Sequence, residues 1–169
     1  RVGHVVEVIL RSRHFYSGAH RRRIKGPVEL SAGLLRALEV SGDGARLGAL
    51  AQACAQQGQD LFYPPSVKGW DGGQSWVTSA TLLARSNWVA DVVWGNSDLD
   101  MAPYDPLAWA RRQGLAPGEA VEGYIAVLLQ GDLSAHARSL ALSAGRGGGP
   151  DGLRKAIQIL LHCPEYHLA

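Results

Sequence analysis

The chain has 169 residues, with 17 Lys and Arg against 15 Asp and Glu for a formal net charge of +2. That balance excludes a wholesale electrostatic grip on nucleic acid or on an anionic membrane surface. No apolar run approaches the ~20 residues of a bilayer-crossing helix, no charged-then-apolar leader opens the sequence, and the length suffices for one domain with a core of its own.

Val2, Val5, Val6, Ile9 and Leu10 recur at helical spacing and predict a short helix over 2–11, leaving through the polar stretch 12–18 with Phe15 and Tyr16 plugging a core edge. Helical patterning from the second residue, after an opening Arg1, leads us to expect the C-terminal part of a longer protein. His20 to Lys25 is the sharpest charge feature. Arg21, Arg22, Arg23 and Lys25 are candidates to clamp a phosphate or carboxylate, because guanidinium forks bind such groups bidentately. The reading we favour is a solvated loop with one arginine paired to Glu29 or Asp71.

Pro27 in a first helical turn, with Glu29 near the positive end of the dipole, opens a second helix carrying Val28, Leu30, Leu34, Leu35 and Leu38. A third is marked by Leu47, Leu50, Ala51, Cys54 and Ala55 and closed by Gly58. Residues 62–73 form a Pro/Gly-rich knuckle. Pro64-Pro65 holds the chain extended, and Gly69, Gly72 and Gly73 allow tight reversals around Lys68, Trp70 and Asp71. From near Gln74 a long helix follows, with Trp76, Ala80, Leu83, Asn87 and Val77, Ala84, Trp88 on a broad buried face. In the knuckle, Trp70 is expected as a core wedge and Lys68 as a donor to buried carbonyls.

Gly95 to Asp98 stops that helix, and the stretch 95–106 is a candidate boundary between subregions. Short helices are predicted over 106–113, presenting Trp109, and over 117–130, with Val121, Tyr124, Ile125, Leu128 and Leu129 on one side. Another follows over 132–143, capped by Asp132 or Ser134. After the break at 145–150 a final helix, capped by Asp151, carries Leu153, Ile157, Leu160 and Leu161. No stretch alternates like a strand and no segment repeats another. The expected fold is an all-α irregular helical bundle spanning 1–169, with the knuckle between helices.

Leu-Phe-Tyr-Pro-Pro-Ser-Val-Lys-Gly-Trp-Asp-Gly-Gly (61–73) with Trp-Val-Thr-Ser-Ala-Thr-Leu-Leu-Ala-Arg-Ser-Asn (76–87) resembles the signature of the DUF1800 family, large bacterial proteins of unknown function. Arg-Ser-Arg-His-Phe-Tyr and Ile-Lys-Gly-Pro-Val-Glu-Leu within 11–30 resemble its upstream segment. Cys-Pro-Glu-Tyr (163–166) is similar to the Ser-Pro-Glu-Phe/Tyr that closes such proteins. The resemblance implies an exported protein of the periplasm or cell envelope. It also implies a longer relative, whose N-terminal part would be a partner.

Lys68, Trp70, Asp71, Trp76, Arg85 and Asn87 are the candidate ligand-binding residues. With Tyr63 and Trp88, the tryptophans could offer a sugar platform beside polar groups, although core packing is the reading we favour for them. Lys68 beside glycines has the wrong order for a phosphate loop, and Arg85 with Asn87 would serve the turn's backbone. His162, Cys163, Glu165 and His167 match no metal spacing, so neither a metal nor a cofactor is expected. Cys54 and Cys163 read as buried small hydrophobes, a bridge between them being the alternative that export would permit. The functional expectation is a helical binding or scaffold module, with carbohydrate as a candidate partner. The alternative is an enzyme acting on envelope polysaccharide, with Lys68, Asp71 and Arg85 near a site shared with the N-terminal part.

Overall fold

Where apolar residues recur at three- and four-residue spacing the chain is helical. The structure, a computed structural model, describes residues 1–17, 23–42 and 44–169. Its helices are α1 (Val2–Arg11), α2 (Pro27–Ala37), α3 (Gly44–Gln56), α4 (Ser79–Trp94), α5 (Pro106–Arg112), α6 (Ala120–Leu129), α7 (Ala135–Gly145) and α8 (Pro150–His162). Single 3-10 turns occupy Gly73–Trp76, Ser97–Leu99 and Pro164–His167. Among the described residues no strand forms. Isolated bridges join Ile24 to Leu168 and Asn96 to Met101. The fold is all-α.

Local chemistry sets the helix starts. Thr78 and Thr81 close a capping box at α4, Asp105 accepts from the amides of Leu107 and Ala108 at α5, and Ser134 accepts from Ala137 at α7. Proline occupies the first turn of α2, α5 and α8. At α8 this displaces the expected Asp151 cap. Gly149 is the N-cap, and Asp151 instead accepts from Arg154 at 2.7 Å.

α8 lies at the centre, packed against α4, α5, α6 and α7. Leu153, Ile157, Leu160 and Leu161 have no exposed surface. α7 approaches α8 most closely because Ala137, Ala141 and Gly145 present little side chain, and Gly145 faces Val121, Leu153 and Ala156. Trp109 stacks on Tyr124 with centroids 4.1 Å apart, and the Tyr124 hydroxyl donates to the Pro106 carbonyl while meeting Tyr104 Oη at 3.2 Å. The stretch 95–106 contributes Met101 and Tyr104 to the same core.

Three expectations are corrected. The knuckle helix starts at Ser79 rather than near Gln74, since the 3-10 turn and the Thr78 cap intervene. Its buried face is Arg85, Trp88, Val89, Val92 and Val93, while Ala80, Leu83 and Asn87 are exposed, and no residue of the helix before Arg85 is buried. Phe15 and Tyr16 plug no core edge. They are exposed and meet each other edge to face at 5.2 Å.

A repeat does exist. Shifting α1 by 151 positions lays Val2, Val5, Val6, Ile9 and Leu10 on Leu153, Ala156, Ile157, Leu160 and Leu161, then Ser12 on Cys163 and Phe15 on Tyr166. The backbone agrees. Ser12 and Cys163 are both extended C-caps whose amides donate to Ile9 and Leu160, and Phe15 and Tyr166 each donate back to them. Of these seven pairs only Leu10 and Leu161 are identical, so the repeat is one of pattern and is hidden from residue identity. In α8 every one of these apolar residues is at most 1% exposed; in α1 each is at least 44% exposed.

The close approach of α7 to α8 yields an expectation. A methyl group at Gly145 would meet Val121 Cγ2 inside van der Waals contact. Gly145→Ala should therefore destabilise by about 1–3 kcal/mol despite its better helix propensity, read as a lower denaturant midpoint.

Candidate functional site

The knuckle is mostly exposed: Tyr63 is 77% and Val67 fully open. Lys68 is exposed and its side chain makes no hydrogen bond among the described residues, which corrects the expectation that it serves buried carbonyls. Asp71 is also exposed. Trp70 is half-buried, and the deeper wedge is Trp76. Its indole lies among Gly26, Gly58 and Gly72, so the glycines admit the ring. Gly58 and Gly72 also sit at positive φ, where a side chain would be strained. Beside Trp76 is a shallow recess lined by Arg23, Glu29 and Gln59. Arg23 forks onto both carboxylate oxygens of Glu29 and, chiefly through that hydrogen bond, holds Glu29 below the usual carboxylate range. Arg21 and Arg22 lie outside the described residues.

Arg85 is 1% exposed and anchors a junction of distant segments. It donates to the Lys25 carbonyl at 2.8 Å and faces His167 Nδ1 at 3.3 Å, so it serves the chain before α2 rather than the knuckle's backbone. Lys25 Nζ donates to the Tyr166 carbonyl at 2.8 Å and lies 4.4 Å over that ring. The Lys25 amide donates to His167, and the Ala169 amide to Arg23. Among the described residues Arg85 has no carboxylate partner, and its Nε has no hydrogen bond. Burial lowers its pKa. His162 Nε2 lies 3.1 Å from Ser86 Oγ, next along α4.

A third region was not anticipated as a unit. α3 and α4 flank a cleft of about 340 Å³, closed at one end by the turn after α4. Ala49, Ala53 and Ala90 are short enough to leave the space, and the polar walls are Gln52, Gln56, Asn87, Asp91, Asn96 and Asp98. Asn96 donates to Asp91 Oδ1 at 2.7 Å and accepts from the Asp98 amide, fixing that end. Trp88 also lines the cleft; it is 2% exposed and its Nε1 has no partner among the described residues. Of the candidate residues that are described, only Asn87 lines this cleft. Trp76 and Arg23 share the recess, Arg85 and Lys25 share the junction, and Lys68, Trp70 and Asp71 line neither cleft nor recess. The i, i+4 pairs Gln52/Gln56 and Asn87/Asp91 were the readable signal, since each places two polar groups on one helix face.

Cys54 and Cys163 are free and buried, and burial raises both thiols; Cys163 Sγ donates to the Ile159 carbonyl. Among the described residues no group of three or more metal-ligating side chains forms, and no helix is long and apolar enough to cross a membrane.

The wedge and the knuckle lysine separate energetically. Trp76→Ala should cost about 3–5 kcal/mol by emptying a buried aromatic site, and Lys68→Ala less than ~0.5 kcal/mol, both read by denaturant unfolding. The junction also makes stability depend on pH. Burial, then the charges of Arg85, His162 and Lys25, lowers His167 from 6.5 to about 4, and burial lowers His162 too. The unfolded ring protonates first, so stability is full above 6.5 and is lost as pH falls toward about 4. His167→Gln, which keeps an acceptor for Arg85, should flatten the slope of the urea midpoint across that window.

No curated protein and no solved structure matches the chain. The comparison with family models gives a match that spans nearly all of it, and it takes in the segments that the fold brings together at Arg85: the run before α2, the start of α4 and the closing turn. Residues 1–168 match the model described as a protein of unknown function, DUF1800, and the chain belongs to that family.

Proposed function

We propose that the chain is a helical docking module whose α1 seats in a helical surface supplied by an N-terminal part of the same protein. The observation that carries this reading is the repeat: α1 has the apolar register, C-cap and trailing aromatic of α8, yet nothing covers its stripe among the described residues. A ten-residue helix is marginal in water unless packing supports it. Five apolar side chains on one face are the means of that support, and an exposed patch of this kind marks an interaction site.

The α8 environment describes what such a surface offers. It has small residues opposite the stripe, as Ala141 and Gly145 provide, and a cation over the aromatic, as Lys25 provides for Tyr166. Glu7 stands where Gln158 accepts from the Trp94 indole at 2.8 Å, so a donor on the partner would meet it. The export and envelope location implied by the family resemblance fit a module of this kind without bearing on the docking itself.

The test compares two contexts. In the 169-residue chain, Val6→Asp with Ile9→Asp should change unfolding free energy by less than ~0.5 kcal/mol, as at other exposed sites. In the protein carrying its N-terminal part, the same pair should cost more than ~2 kcal/mol, because two carboxylates would be buried without partners. A near-zero cost in both contexts would overturn the proposal.

A further inference from the structure

The cleft between α3 and α4 has a chemistry that selects among ligands. Trp88 lines it, with an indole N–H that is buried and has no acceptor among the described residues. The other polar lining groups are the carboxylates of Asp91 and Asp98, which only accept when ionised, and the amides of Gln52, Gln56 and Asn87, which do both. Among the described residues no Lys, Arg or His lines the cleft, so none of them neutralises an anion there, and two carboxylates would repel one. An ammonium group would suit the carboxylates but gives the amide N–H groups nothing to donate to. A hydroxyl donates and accepts at once, and several in fixed positions could serve the whole wall.

The construction supports selective binding. Ala49, Ala53 and Ala90 set an apolar floor against which the carbons of a ring could lie, and the Asn96 bonds to Asp91 and to the Asp98 amide hold the acidic end in place before any ligand arrives. We infer that this cleft is a binding site for a neutral saccharide, with the Asn87 and Gln52 amides and the Asp91 and Asp98 carboxylates as its hydrogen-bonding groups. The site is distinct from α1, so it stands whether or not α1 docks.

The experiment follows the Trp88 indole resonance in a ¹⁵N-labelled chain during titration with cellobiose, maltose, lactose and chitobiose. Ethylammonium chloride and inorganic phosphate serve as the charged probes. At least one disaccharide should shift the resonance saturably, with Kd on the order of 1 mM. Gln52 and Asn87 are exposed, so Gln52→Ala with Asn87→Ala leaves the melting temperature in place while raising that Kd by about tenfold or more. Three results would overturn the inference: no saturable shift with any of the four sugars, a shift that the double variant leaves unchanged, or saturation by ethylammonium or phosphate instead.

Discussion

The burial of α8 on all its apolar flanks is the constraint from which the rest of the arrangement follows. Leu153, Ile157, Leu160 and Leu161 are wholly enclosed, and burial of such side chains is worth about 1.5–3 kcal/mol each before entropy is counted. Enclosure needs neighbours on several sides at close range. α7 can come close because it offers Ala137, Ala141 and Gly145, and α8 reciprocates with Gly152, where a Cβ would stand 2.9 Å from the Ala144 carbonyl oxygen. Once α7 is seated, α6 follows with Val121 against Gly145, and the Trp109–Tyr124 stack fixes α5 on α6.

Arg85 extends this core to the chain's extremities. A guanidinium buried without a carboxylate is expensive, and its partners here are a carbonyl and an imidazole that must stay neutral. The arrangement obliges residues 23–25 and 166–169 to lie side by side, because Arg85 reaches both, and Lys25 adds its own grip on Tyr166. Segments that are distant in the chain therefore converge for a structural reason.

The core leaves two places incomplete. One is α1, a helix whose complete apolar stripe is uncovered among the described residues. The other is the cleft beside Trp88, where small residues on α3 and α4 leave room and polar side chains surround it. The knuckle, despite its dense turn chemistry, is neither: it admits the Trp76 ring between glycines and otherwise stands in solvent. Its Gly72 serves the wedge, and its lysine is a solvated charge.

Periodicity alone determined the all-α class, the positions of the helices other than the start of α4, and the buried stripes of α6 and α8, because a 3.6-residue apolar rhythm has one economical solution. The sequence also holds the i, i+4 polar pairs Asn87/Asp91 and Gln52/Gln56, which apolar periodicity does not single out. It could not show that they face each other, since that depends on which faces of α3 and α4 the core consumes. It placed the buried face of α4 one half too early, as apolar spacing there runs past the end of the packing. The repeat of α1 and α8 stayed hidden because burial conserves hydrophobic character rather than identity. Only tertiary structure separated the two copies: the same stripe is core in α8, where α4, α6 and α7 converge on it, and exposed in α1.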